Sequence, residues 1–349
     1  MGGGDEYNSL MISVLFIVSF LLSMSLTRQF INPSSWLRVM DHPNERSLHS
    51  VPTPRTGGLA IMITFFVASV AAVLLLDLII SPILLLCALA VMAISFLDDC
   101  YSVSAAIRFG VHLAVAVVLV TNGFQLTALE LPGVSWPWHN AIALLVSSLF
   151  IVWMINLYNF MDGMDGFAAG MAIAGFSCFA LLGWQAQHQS FIIANLIVVS
   201  AVLGFLLFNF PPARVFMGDA GSSTLGFLVA AFTLWATVDN IFPFWVALLI
   251  FSPFIVDASV TLIRRLFAGE RIWEAHKSHS YQRLVEAGWG HRKTVLYAYL
   301  LMVLCAASAW WAMQATIFFQ LAIVAGWVGI YTLIIIKTGE LARCHEHQN

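Results

Sequence analysis

Apolar residues in this chain come in long unbroken runs, not at the two-residue period of a half-buried strand or the narrow stripe of a surface helix. Through a window of about 19 residues the runs fall at 8–27, 57–76, 79–97, 108–124, 140–159, 166–183, 191–208, 221–238, 241–263, 294–313 and 315–336. Most approach the roughly 20 residues that an α-helix needs to cross a bilayer. The pattern predicts an all-α, polytopic membrane protein with about eleven transmembrane helices, forming a single integral-membrane domain over residues 1–349. No internal repeat of the kind that marks many transporters is visible.

The polar connections between the runs are not equivalent. All 15 Lys and Arg follow odd-numbered runs: Arg28, Arg38, Arg46 and Arg55; Arg108; Arg214; Arg264, Arg265, Arg271, Lys277, Arg283, Arg292 and Lys293; Lys337 and Arg343. The positive-inside rule then predicts an outer N-terminus and a cytoplasmic C-terminus. The cytoplasmic segments are about 28–56, 98–107, 160–165, 209–220 and 264–293. Trp136, Trp138, Trp184, Trp235, Trp245, Trp310 and Trp311 stand near run ends on the other side, as an aromatic belt should. That side has short loops and is expected to carry little chemistry.

Composition agrees. With 60% hydrophobic and 9% charged residues and a mean hydropathy of +0.90, against roughly 25% charged in soluble domains, the chain cannot cover a water-soluble fold. No basic stripe dense enough for nucleic acid is present. The five cysteines are scattered, with no C-x-x-C pair, and suggest neither a disulfide scaffold nor a zinc ribbon. The first run follows the acidic MGGGDEYNSL, not the basic flank of a signal peptide, and is expected to be a retained helix.

The carboxylates change the picture. Asp98 and Asp99 end the third run, Asp162 and Asp165 follow the fifth, and Asp219 follows the seventh, so all five should share one layer at the cytoplasmic interface. Ionisable groups at membrane depth are costly and are functional candidates by default. Converging carboxylates repel unless cations compensate them, and Mg2+, which prefers oxygen ligands and substrate phosphates, suits the task. Each Asp could instead simply end a helix and face water, although that does not account for the clustering.

Four segments add detail. In NLYNFMDGMDGFAAG, helical spacing puts Asn156, Asn159 and Asp162 near one another, and amides just inside an apolar run need polar partners. In FMGDAGSSTLG, Asp219 precedes a run of small residues, which would present backbone N–H groups to a phosphate or form an ordinary Asp cap. In DHPNERSLHSVPTPRTGG the prolines forbid a long helix, while Arg46, His49 and Arg55 offer phosphate-pairing donors. In GERIWEAHKSHSYQRL, His276 and His279 beside Lys277 and Arg271 suit a sugar or phosphate better than a zinc site with His291, since no Cys or second His pair completes a tetrahedral set. His112 reads as a packing histidine, and Asp257 as a supporting residue near the site.

These segments, in this order, resemble the polyprenyl-phosphate N-acetylhexosamine-1-phosphate transferases of glycosyltransferase family 4. The resemblance covers residues 41–283 and is closest to the enzymes that initiate O-antigen on undecaprenyl phosphate. It implies transfer of a sugar 1-phosphate from a UDP-N-acetylhexosamine, of the N-acetylglucosamine, N-acetylfucosamine or N-acetylquinovosamine type, to undecaprenyl phosphate, with release of UMP. It further implies Mg2+, with Mn2+ as the alternative ion, and a bacterial inner-membrane location with the site on the cytoplasmic face.

Carried over by residue, Asp98 and Asp99 become the catalytic pair, with Asp98 as base or acceptor-phosphate positioner. Asp219, Asp165 and Asp99 become metal ligands. Arg46, His49, Thr53, Arg55, Asn156, Asn159, Asp162, Arg271, His276 and His279 become substrate-binding residues. The expected partners are the lipid bilayer and the two substrates, with a homodimer allowed. HKSHSYQRL departs from the triple-histidine run of the muramoyl-pentapeptide transferases, which makes peptidoglycan precursor synthesis the runner-up. Arg108 stands nine residues after Asp99, where other members carry a basic residue. From another class, a transporter would use the intramembrane Asn and Asp as a coupling-ion site near the midplane.

Overall fold

The computed structural model describes residues 3–43, 48, 50–270 and 277–346. Every apolar run of the sequence falls on a helix. In chain order these are α1 (Gly3–Ile31), α2 (Gly57–Leu76), α3 (Pro82–Tyr101), α4 (Ala105–Thr121), α5 (Asn140–Phe160), α6 (Phe167–Gln185), α7 (Gln189–Asn209), α8 (Asp219–Val238), α9 (Phe244–Ile250), α10 (Ser252–Phe267), the short α11 (Ser280–Leu284), α12 (Gly290–Ala312) and α13 (Ile317–Glu346).

Nine helices among the described residues are long and apolar enough to cross a membrane, and the chain is a multi-pass membrane protein. The α9/α10 pair makes a tenth, broken span. Helix α4 has 17 residues, about 26 Å at 1.5 Å per residue, and an eleventh crossing depends on it.

The predicted straight run over 241–263 is instead bent by 81° between α9 and α10. Pro253 has no N–H to give the Leu249 carbonyl four residues back. Ser252 Oγ donates to that carbonyl instead, at 2.7 Å. The same hydroxyl lies 2.7 Å from the Tyr331 hydroxyl, which ties α13 to the bend.

Helix α8 is the axis of the bundle. Every residue from Ala220 to Ala236 is buried, and α2, α3 and α5 pack around it. A helix apolar on all sides belongs at the centre. Helices α1 and α13 lie outermost, with 17% and 11% of their apolar windows buried against 89% for α8. Their remaining apolar surface faces lipid.

Two small antiparallel ribbons complete the fold. β1 (Met40–Asp41) pairs with β2 (Thr53–Pro54), closing the polar segment between α1 and α2. β3 (Ala128–Leu131) pairs with β4 (Val134–Pro137) between α4 and α5, where short loops were expected. The N-termini of α2, α4, α6, α8 and α12 and the C-termini of α3, α5 and α7 meet at one end of the bundle, where the polar groups collect.

Candidate active site

A cavity at that end encloses about 820 Å3, part of it open solvent, and is lined by Arg55, Asp99, Asn159, Asp162, Asp165 and Asp219 together with Asn209, Ser222, Gln282 and His291. Its floor is the start of α8. The segment PRTGG runs alongside FMGDAG: Phe216 N–H donates to Pro54 O at 2.7 Å, Gly57 N–H to Phe216 O at 3.0 Å and Gly58 N–H to Met217 O at 2.8 Å. A side chain on Gly58 would run into Gly221 and the Met217 carbonyl. That close approach brings α2 and α8 together.

The N-terminus of α8 was expected to offer free N–H groups to a phosphate. Asp99 takes them. Its Oδ1 accepts the Asp219 N–H at 3.2 Å and its Oδ2 the Ala220 N–H at 3.0 Å, which satisfies two donors that every helix start leaves open. Arg55 holds Asp99 from the other side, donating to its carbonyl and standing 3.5 Å from Oδ1. The Asp99 side chain is only 1% exposed.

Asp219 itself faces the cavity. Asn159 Nδ2 donates to its Oδ1 at 2.9 Å and to Ser222 Oγ at 3.0 Å. Arg108 bridges Asp98 and Asp219, bonding the first directly and standing 3.4 Å from Oδ2 of the second. Among the described residues Arg55 and Arg108 thus contact three of the five carboxylates, those of Asp98, Asp99 and Asp219.

Asp165 lines the cavity with a different set of partners. It accepts the Ala213 N–H at 2.9 Å and lies 3.2 Å from His291 Nδ1. Asp162 stands half-buried in the loop between α5 and α6. Burial pushes its carboxyl well above the usual range, and the charges of Asp219, Asp99 and Asp165 push it further. The folded protein therefore holds that proton more tightly than the unfolded chain, so the Asp162 contribution to stability is fully present below the ordinary Asp range near about 4 and is lost as pH rises through the raised value. Thermal unfolding in EDTA is expected to show this decline, and Asp162→Asn to flatten it. An equally steep decline in the variant would assign the effect to other groups.

Among the described residues no three His, Cys, Asp or Glu side chains gather into a metal site of their own. The residues nevertheless fit a Mg2+ ion completed by substrate phosphates, because such an ion typically needs only one or two protein carboxylates. Asp219 and the uncompensated Asp162 have the capacity. Asp99 and Asp165, expected as ligands, are held by the α8 start and by His291 with Ala213.

Other expected residues lie apart. Asn156 donates to Val152 O within its own helix at 2.7 Å and does not line the cavity. Thr53 Oγ1 donates to Val51 O at 3.0 Å and lines an adjoining chamber with Phe216 and Arg292. His279 is buried, its ring stacked on Tyr281; burial and then Arg265 push its pKa down to about 4, so it is neutral at physiological pH. Arg46, His49, Arg271 and His276 lie outside the described residues. His112 is a buried packing residue. Asp257 accepts the Ser280 N–H at 2.8 Å and the Tyr281 N–H at 3.5 Å, capping α11.

Sequence reasoning missed Asn209 and Gln282, and weighed His291 only as a zinc ligand. Asn209 Oδ1 accepts the Gly166 N–H at 3.0 Å and its Nδ2 donates to Val215 O at 2.8 Å, fastening the DGMDG loop to the segment before α8. An amide at the end of an apolar run was the available signal, the same one that picked out Asn159.

The sequence pattern of glycosyl transferase family 4 matches residues 81–237, from α3 to α8. A Bacillus subtilis protein, named as a probable undecaprenyl-phosphate N-acetylglucosaminyl 1-phosphate transferase, is 31% identical over 90% of this chain and 88% of its own length. The chain belongs to glycosyl transferase family 4. Other members it matches include the decaprenyl-phosphate N-acetylglucosaminephosphotransferase of Mycobacterium tuberculosis, 30% identical over 88% of this chain and 85% of that one. The phospho-N-acetylmuramoyl-pentapeptide-transferase of Geobacillus thermodenitrificans is 29% identical over 82% and 92%. These family 4 relatives align over 82–90% of the chain, and the family pattern itself takes in Asp99, Asn159, Asp162, Asp165 and Asp219.

Proposed function

We propose that the protein transfers a sugar 1-phosphate from a UDP-N-acetylhexosamine to undecaprenyl phosphate, releasing UMP, at the cytoplasmic face of the bacterial inner membrane. The observation that carries this reading is the cavity itself, in which three separate carboxylate segments meet Arg55 at one end of an apolar bundle, with Arg108 beside it on Asp98 and Asp219. A lipid phosphate and a soluble nucleotide sugar can meet only at such a boundary.

In this reaction an oxygen of the lipid phosphate attacks the phosphorus that carries the sugar, and the bond to the UMP phosphate breaks. A phosphate monoester has its second pKa near about 6, so the nucleophile is largely ionised at neutral pH and Asp98 need not act as a base. Its contact with Arg108 suits a positioning role. Arg55 and Arg108 attract the two anionic substrates, since phosphoryl transfer depends chiefly on placement and charge neutralisation. Asp219 and Asp162 would hold Mg2+, which would neutralise charge on the diphosphate, with Mn2+ as the alternative ion.

HKSHSYQRL in place of a triple-histidine run favours a UDP-N-acetylhexosamine without a peptide over the muramoyl-pentapeptide donor. N-acetylglucosamine, N-acetylfucosamine and N-acetylquinovosamine are the sugars to test, for O-antigen or another envelope polymer. The placement of the polar groups at one end argues against a transporter. Purified protein incubated with undecaprenyl phosphate, Mg2+ and these UDP-sugars is expected to release UMP with one of them. No UMP with any donor would sink the proposal.

A further inference from the structure

Gln282 is the one residue of α11 that lines the cavity, and its side chain is almost wholly buried. Its orientation is fixed. Oε1 accepts the His279 N–H at 3.2 Å, and because that partner is a donor, the oxygen of the amide must face it and the NH2 group must occupy the other arm. Nε2 lies 3.4 Å from the point where a Cβ on Gly163 would stand, beside the first of the two residues between Asp162 and Asp165. Helix α11 is held rigidly: Asp257 caps it, and the Tyr281 ring packs on Phe167 with centroids 4.7 Å apart.

We propose that Gln282 reads the donor substrate, its Nε2 donating to an uncharged oxygen of the nucleotide sugar. This rests on the transferase reading above. A neutral amide brings no charge to a phosphate, which Arg55 and Arg108 do, and the acceptor lipid has no polar group besides its phosphate. The hydroxyl and carbonyl oxygens of a sugar or a uracil fit that donor. Both sources share one chemistry, and a preoriented buried donor discriminates strongly against analogues that leave it unpaired.

Gln282→Glu tests the assignment because it keeps an oxygen for the His279 N–H while replacing the donor with an acceptor. In full-length protein that still unfolds cooperatively the KM for the UDP-sugar is expected to rise about tenfold or more, while the KM for undecaprenyl phosphate stays close to wild type. The uncharged Gln282→Met is expected to raise the donor KM roughly threefold to tenfold, the equivalent of one hydrogen bond.

Calorimetry with UMP and with the UDP-sugar locates the oxygen: parallel weakening places it on the nucleoside, and weakening of the UDP-sugar alone places it on the sugar. Donor KM and affinity unchanged in both variants, with wild-type turnover intact, would overturn the assignment. Absence of wild-type turnover would overturn the transferase reading instead, and the calorimetry would still decide Gln282.

Discussion

Asp219→Asn is expected to lower turnover by roughly 10^3-fold, the scale seen when a preorganised electrostatic group is removed from a transition state, with little change in stability. The reason lies in the two sides of this carboxylate. Oδ1 accepts from Asn159, a bond that the oxygen of an amide can keep. Oδ2 faces Arg108 at 3.4 Å, and there the substitution removes the charge. Arg108 still has Asp98 as a partner, so no buried cation is stranded and the start of α8 stays capped by Asp99. UMP release, its dependence on Mg2+ concentration and thermal unfolding together check this. Turnover within about tenfold of wild type with the same Mg2+ dependence would remove Asp219 from the metal site.

The gross architecture was legible because membrane helices announce themselves by length and apolarity alone, independently of their partners. The gathering of Asp98, Asp99, Asp162, Asp165 and Asp219 followed from parity, since each comes after an odd number of crossings. The division of labour among them was not legible. Whether a carboxylate meets a backbone N–H, an arginine or open space depends on helix rotation and on segments more than 100 residues away, as in the contact from Asp99 to Ala220. The bend at Phe251 had a local signal in Pro253. Gln282 had none, and His291 suggested only a zinc site, because a glutamine and a histidine in a polar segment acquire their role here only when α11 and α12 are folded against the DGMDG loop.

Asp99→Ala separates the two halves of the aspartate pair most sharply. It is expected to destabilise the protein by about 3 kcal/mol, the lower end of the cost of breaking a buried ion pair. The substitution leaves the Asp219 and Ala220 N–H groups without their acceptor inside the bundle and takes from Arg55 the carboxylate beside its Nε. Arg55 is about one-third exposed, so water recovers part of its charge and the loss stays near that lower end. Asp98→Ala, by contrast, is expected to change stability by no more than about 1 kcal/mol, because its partner Arg108 is also about one-third exposed and keeps Asp219 nearby. Thermal unfolding of both variants in the same detergent, alongside UMP release, makes the comparison. Asp99→Ala should lose activity together with its fold, and Asp99→Asn, which retains an acceptor for one of the two N–H groups, should fall between it and wild type. An Asp99→Ala protein that unfolds like wild type yet fails to turn over would make Asp99 a group that touches the reacting atoms. Loss of both together makes it the post on which the α8 N-terminus, and therefore Asp219, is set.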